Sequence, residues 1–415
     1  MSHLGFEDDD TAGGELRALM LAVDVPASGA DLHRAITAGR RARRRSALTG
    51  ATAGVAVLAA VGTFVAFGPM RAGPSRVEGP PASAAPVPSP SGGASASAGP
   101  LPALSSRPLT DAKGAVVTCR STALALPAGA VDGFTTSIDP TGRLVGGHAG
   151  NGSRTPVIWR DGRPEVVPGV TGQVQDVASD GTAVGFSGDE DAKGWLVRGG
   201  KVTVLALPPG YRTATPAAVN ASGVAVGLVG TGQGAFDGVP ARWSADGTVH
   251  LLTIPAGIGR PELGSDAQDI ADDGTVVGTA NGVAMRWSPD GTPHPLAVAV
   301  SGNSNSRAQS IAGRYAFGVE NGAAVRWDLQ TGQAVVLRQS GAFSSRGGTP
   351  GGRAIVSSDG SVPSVLVAEG GAAVALEGPN RETGSLTGMS LDGRIIAGNL
   401  TSGATNQAVT WTCGA

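Results

Sequence analysis

The chain has 415 residues, a formal net charge of −2 and only 15% charged residues. Such a balance provides no electrostatic drive toward nucleic acid, so no nucleic-acid partner is expected. Gly supplies 66 residues against 8 Phe and 2 Tyr, a composition suited to many short strands joined by tight turns. His3, His33, His148, His250 and His294 stand far apart in sequence, so no metal-ligand spacing exists, and neither a metal nor a cofactor is expected.

Residues 1–46 read as a cytoplasmic tail, in which Leu16, Leu19, Met20 and Val23 recur at helical spacing. Arg40, Arg41, Arg43, Arg44 and Arg45 then lead into 47–70, a stretch without a charged residue. About 20 apolar residues span a bilayer core. The preceding Arg cluster predicts a transmembrane helix over 47–70 with the N-terminus inside and the remainder outside. A cleaved signal peptide is the competing reading, although its charged region and apolar core would both be unusually long. Residues 71–110 are dominated by Pro, Ser, Ala and Gly and cannot bury enough apolar surface to fold. They predict a disordered stalk, which at about 3.1 Å per residue in polyproline geometry reaches on the order of 100 Å.

From 111 to 415 the sequence repeats. SIDPTGRLVGG, DVASDGTAVGF, AVNASGVAVGL, DIADDGTVVGT, SIAGRYAFGV and GMSLDGRIIAGN align on Gly146, Gly185, Gly227, Gly278, Gly318 and Gly398. A degenerate copy with Ser357 in place of the glycine fills the double gap before the last, giving a period of roughly 40 residues. Each copy continues to a tryptophan: Trp159, Trp195, Trp243, Trp287, Trp327 and Trp411, with Leu366 in the degenerate copy. The third copy divides into strands at 215–220, 224–229, 240–244 and 248–254, joined within its hairpins by Asn-Ala-Ser-Gly and Asp-Gly turns. The fold class predicted is all-β: a seven-bladed β-propeller of four-stranded antiparallel blades, preceded by one transmembrane helix and a disordered linker.

The stretch from Ala218 to Gly227, followed by Ala241, Arg242 and Trp243, resembles the HAF-type repeat of bacterial extracytoplasmic proteins. The likeness covers about residues 115–415; it implies a propeller-like fold and export, and it implies no reaction. The tail and span resemble actinobacterial membrane proteins with short Arg-rich cytoplasmic stems, some associated with sigma-factor control. The tail carries no zinc-binding anti-sigma motif.

The seventh copy ends just after its Trp strand and lacks a fourth strand. CRSTALALP at 119–127 looks like the fourth strand of copy two, VTVLALP at 202–208. The N-terminal strand is therefore expected to complete the last blade and close the ring. Cys119 and Cys413 would then lie on neighbouring antiparallel strands, within disulfide reach and in an oxidising compartment. The alternative is a pair of buried thiols.

Short hairpin turns share one face of such a ring, and the uneven loops share the other. The uneven loops are 148–155, 187–193 and 229–239 between second and third strands, and 256–267 and 339–351 between blades. Binding is expected on this loop face, on blades one to three together with the two interblade loops 256–267 and 339–351. The candidates are Asp189, Glu190, Asp191, Phe236 and Asp237. The three acids lack the spacing of a calcium loop and read as a solvated acidic loop. The tryptophans read as inter-blade packing, and Arg242, Arg286 and Arg326 as structural. No nucleophile elbow, His-Glu-x-x-His or P-loop occurs, so no catalytic residue is assigned. The expected function is that of a membrane-anchored, monomeric binding module recognising an envelope protein or glycan. The alternatives are a transmembrane or anti-sigma-like regulator with the propeller as sensor, and a glycan hydrolase built on a carboxylate pair.

Overall fold

The computed structural model describes residues 109–110 and 116–414, apart from 189–190, 233–237, 301–304, 340, 359–362, 369–371, 380–381, 383 and 403–404. The predicted tail, span and nearly all of the stalk lie outside these residues. Among the described residues no helix is long and apolar enough to cross a membrane.

The described strands form seven four-stranded antiparallel sheets, the seven blades of a propeller. Six blades are built from consecutive strands, the innermost first. The seventh runs from Gly384–Met389 through Ile395–Ser402 and Thr405–Gly414 to Thr118–Ala123, so the N-terminal strand is its outermost member. Register sets Cys119 opposite Cys413 and Ala123 opposite Val409. The two cysteines form a disulfide with a Cα–Cα distance of 4.1 Å, joining residues 294 apart in sequence.

The repeating glycine has a steric cause. In six blades the innermost strand carries a one-residue bulge, at Thr136, Gln175, Ala217, Gln268, Gln309 and Thr387. Opposite the residue before each bulge stands Gly147, Gly185, Gly227, Gly278, Gly318 or Gly398 on the second strand. A Cβ on any of them would collide with an inner-strand backbone carbonyl: that of Phe134, Gln173, Thr215, Asp266, Arg307 or Ser385, respectively. In the first copy the equivalent residue is thus Gly147, one beyond the Gly146 of the sequence alignment. Blade six moves its bulge to Phe343, so Ser357 can keep a Cβ. The Ser357 hydroxyl donates to the Leu386 carbonyl at 3.1 Å and accepts the Leu386 N–H at 2.7 Å, both in blade seven.

Cores lie between adjacent blades; Ala178, Val184 and Leu196 of blade two, for example, pack on Val219, Ala225 and Trp243 of blade three. Trp159, Trp243, Trp287, Trp327 and Trp411 are fully buried at one equivalent position. Each indole N–H donates to a carbonyl in the connection from the preceding blade: Ala125, Ala206, Thr253, Ala297 and Glu377. Trp195 is not equivalent to them. It pairs with Gly185, two residues before the matching position, where Val197 stands opposite Ala183. Leu366 holds that position in blade six, opposite Ile355. Arg242 and Arg286 reach the next blade, donating to Pro289 and Leu329 carbonyls at 2.7 and 3.0 Å. Arg326 lies 4.5 Å above the Tyr315 ring.

Two outcomes follow for stability. Gly318→Ala should cost about 2–3 kcal/mol in denaturant unfolding, since only backbone movement relieves its clash, whereas Gly414→Ala, open around its Cβ, should be neutral. Reducing the disulfide, or replacing Cys119 and Cys413 by Ser, should lower stability by up to about 5 kcal/mol on the chain-entropy argument. Equal unfolding midpoints with and without reductant would contradict the clamp.

Candidate functional site

Of the predicted loop-face residues, Asp189, Glu190, Phe236 and Asp237 lie outside the described residues. Asp191 is exposed in the bend before Lys193–Arg198. Among the described residues no group of three or more His, Cys, Asp or Glu is arranged to hold a metal. The structure redraws two predicted loops. His148 and Thr155 belong to strands Leu144–Gly150 and Thr155–Arg160, so the first loop shrinks to 151–154. The stretch 339–351 contains the innermost strand of blade six, Ala342–Ser344, hidden in the sequence by its Ser/Gly composition and bulging. The short loops Asn281-Gly282 and Asn321-Gly322 carry positive φ at both residues, as a primed hairpin turn requires.

The polar centre of the molecule is its axis, where the innermost strands of adjacent blades meet. The bulges define the stacking there. Residues before them, including Phe134, Gln173, Asp266 and Arg307, lie toward the loop face, as does Phe343 at the shifted bulge of blade six. Residues at and after them, including Gln175, Asp176, Gln268, Asp269, Gln309 and Arg346, lie deeper toward the turn face. Several deep side chains pin the next blade. Asp176 Oδ2 accepts the Val219 N–H at 2.9 Å. Asp269 accepts the N–H groups of Ile311 and Ile270, both at 2.8 Å. Gln309 Oε1 accepts the Ser345 N–H at 2.8 Å. Across the closing seam, Asn399 Oδ1 accepts the Thr135 N–H at 2.7 Å.

Asp176, Asp266, Asp269 and Arg346 keep only part of their surface exposed, and with protein packed around them their charges are poorly solvated. Burial pushes the Asp176 carboxyl up to about 6. Burial, together with the nearby Asp176 charge, pushes Asp269 up to about 7. Burial also raises Asp266, against the opposing charges of Arg307 and Arg346. Burial lowers the Arg346 guanidinium, while Asp266 and Asp269 favour its charge. His148 is held at about 4 by burial and by Arg154, so it is neutral at neutral pH, and its ring stacks on Phe134 at 5.5 Å.

Neither Asp176 nor Asp269 was selected from the sequence, although a signal existed. VQDVASDG and AQDIADDG place Gln-Asp at one position of copies two and four, each time in a strand otherwise made of small and apolar residues. The two carboxylates are separated by two repeats, and only ring closure brings them to a common axis.

No family model matches the chain, and no curated protein does. Among solved structures it is similar to a catalytically inactive virginiamycin B lyase from Staphylococcus aureus with quinupristin, at 12% identity and a TM-score of 0.46, over 71% of this chain and 99% of that one. It is also similar to the WD40 β-propeller domain of Doa1, at 12% identity and a TM-score of 0.45, over 70% of this chain and 96% of that one. Puromycin hydrolase is similar at 18% identity and a TM-score of 0.48, over 70% of this chain and 54% of that one.

The buried acids give stability a definite pH dependence. A carboxyl whose folded affinity for protons exceeds the ordinary 3.8 stabilises the fold fully below that pH, and the contribution is lost as pH rises through its folded value. The loss runs from about pH 4 to about pH 6 for Asp176 and to about pH 7 for Asp269, on the order of 3 and 4 kcal/mol respectively. Burial shifts Glu320 in the same direction. His148, lowered from 6.5 to about 4, works against this fall, adding stability as pH rises through that interval, while the carboxyls held low, Asp161, Asp246 and Asp290, act below the window, so the two raised aspartates leave a net fall. Thermal midpoints should therefore fall between pH 5 and 7.5, and Asp269→Asn should flatten the fall. A midpoint that rises over this range contradicts the assignment.

Proposed function

We propose that this chain is a membrane-anchored extracytoplasmic β-propeller that serves as a binding module in the cell envelope. The observation that carries the reading is the asymmetry of a closed ring. Among the described residues one face holds the hairpin turns, and the strand ends that lead into the uneven loops of blades one to three lie on the other. A rigid scaffold with variable loops on one face is how many binding proteins separate stability from recognition. The disulfide supports an oxidising compartment.

The path of the chain into the ring adds a direction. The strand Thr118–Ala123 is antiparallel to Thr405–Gly414, so it begins at the turn face, where the Cys413 N–H also bonds the Arg394 carbonyl of a hairpin turn at 2.7 Å. Leu109 and Val117 are buried beside Leu376, Met389 and Ile396. On the anchored reading, the stalk therefore joins the turn face and the loop face points away from the membrane. Asp176 and Asp269 recommend catalysis less than binding, because their oxygens already serve the next blade's N–H groups. A sensor role for the same propeller would add a task to the tail and leave this face unchanged.

Photo-cross-linking of the full chain in cells tests the reading. A cross-linker at Ser153 or Asp191 on the loop face should give discrete products, and one at Asp161 or Asp273 on the turn face should not. The chain should also resist alkaline extraction from membranes until 47–70 is deleted. Release of the intact chain by alkali would remove the anchor, and products from the turn face alone would remove the binding assignment.

A further inference from the structure

We propose that the Cys119–Cys413 disulfide is a load-bearing clasp: it passes a pull on the chain ahead of Leu109 from the exposed strand Thr118–Ala123 to the buried strand Thr405–Gly414, and so keeps the ring closed under tension. The source of the pull rests on the anchored reading, in which a partner held on the loop face draws against the stalk.

The first observation is a missing turn. In six blades the third and outermost strands are consecutive in the chain, so a connection on the turn face ties them covalently, as Asp161-Gly162 ties Thr155–Arg160 to Arg163–Val166. Blade seven takes these two strands from opposite ends of the chain and has no such turn. The disulfide stands in its place: Thr118 and Gly414 form the last pair at the turn face, and Cys119 and Cys413 form the next.

The second observation is how unequally the two strands are held. None of the residues of Thr118–Ala123 is buried, and its one neighbour in the sheet is Thr405–Gly414. That neighbour buries Ala408, Val409, Trp411 and Cys413, and its other side pairs with Ile395–Ser402 along that strand's whole length. Ahead of the clasp, Leu109 and Val117 are buried and the Val117 N–H donates to the Leu109 carbonyl at 2.8 Å, which seats the incoming chain on the turn face.

The third observation is what peeling would undo. Directly after the strand, Leu124 is buried in one cluster with Ile138, Val145 and Trp159 of blade one, and the Ala125 carbonyl accepts the Trp159 indole N–H at 2.6 Å. Stripping Thr118–Ala123 would therefore open the joint between the last and first blades. A pull from the turn face runs along the strands, while their hydrogen bonds lie across them, so the bonds are loaded in shear. Without the disulfide, the first element to slide is an unburied strand with one partner. With it, Cys413 takes the load, and a buried strand held on both sides must slide instead.

Optical-trap measurements on the detergent-solubilised full chain test the clasp, with one handle at the N-terminus and one at Ser153, exposed on the loop face. At constant force the lifetime before first rupture should shorten about tenfold when the disulfide is reduced or both cysteines are replaced by Ser, because forced opening follows the unfolding rate. The shortened traces should begin with a step that releases residues 118–131, up to roughly 50 Å of chain. Leu109→Ala, which lies ahead of the clasp, should leave the oxidised lifetime unchanged. Moving the N-terminal handle to Asp273, exposed in a turn of blade four, should make the lifetime nearly insensitive to reductant. Equal lifetimes with and without the disulfide in the first geometry overturn the proposal. An equal loss in the second geometry also overturns it, because the bond is then a general cross-link. If the clasp is found and alkali releases the chain, the clasp stands and the membrane anchor falls; if the lifetimes are equal and the chain resists alkali, the clasp falls and the anchor stands.

Discussion

The architecture depends on one close approach: the carbonyl of an inner-strand residue resting where a second-strand Cβ would otherwise lie. A bulge brings that carbonyl inward, and only glycine opposite it leaves room. The bulge twists the inner strand and turns polar side chains such as Asp176, Asp269 and Gln309 toward the neighbouring blade's backbone. One steric event, repeated in six blades, thus generates both the glycine period of the sequence and the polar seam of the axis. Blade six shows the converse. When its bulge shifts, the glycine requirement lapses, a serine enters and stitches blades six and seven with its hydroxyl.

Closure converts a row of blades into a ring. An open array would expose the face of blade one and the face of blade seven, each an apolar surface seeking a partner. Pairing Thr118–Ala123 with Thr405–Gly414 removes that end, and Asn399 then bonds Thr135 across the seam between the first and last blades. The indole of Trp159 completes the joint by donating to the Ala125 carbonyl at 2.6 Å. The seam therefore carries the same inter-blade contacts as the other joints, with the disulfide added because its strands come from opposite ends of the chain.

Most of this was legible in sequence because local rules dominate. Turn residues and strand lengths repeat, and the truncated last copy matches the surplus strand at 119–127. What escaped was register. The repeat pattern fits Gly146 as well as Gly147 and fits Trp195 with the other tryptophans, since each shift preserves the pattern while moving a residue by one or two positions. The stretch 339–351 read as a loop because a doubly bulged strand loses the alternation by which strands are recognised. Asp176 and Asp269 escaped for another reason: a carboxylate beside a turn signal looks solvated, and only ring closure reveals that its position faces the axis.

The axis and its mouth solve different problems with similar residues. Deep in the ring, each carboxylate is spent on N–H groups that would otherwise lack partners, so its cost in desolvation is set against the joining of two blades. Nearer the loop face the accounting is looser: Asp266 Oδ1 has no well-formed hydrogen bond, although the Thr279 N–H favours that carboxylate's charge, and Phe343 is 45% exposed. Both departures occur on the face opposite the point where the N-terminal strand enters the ring.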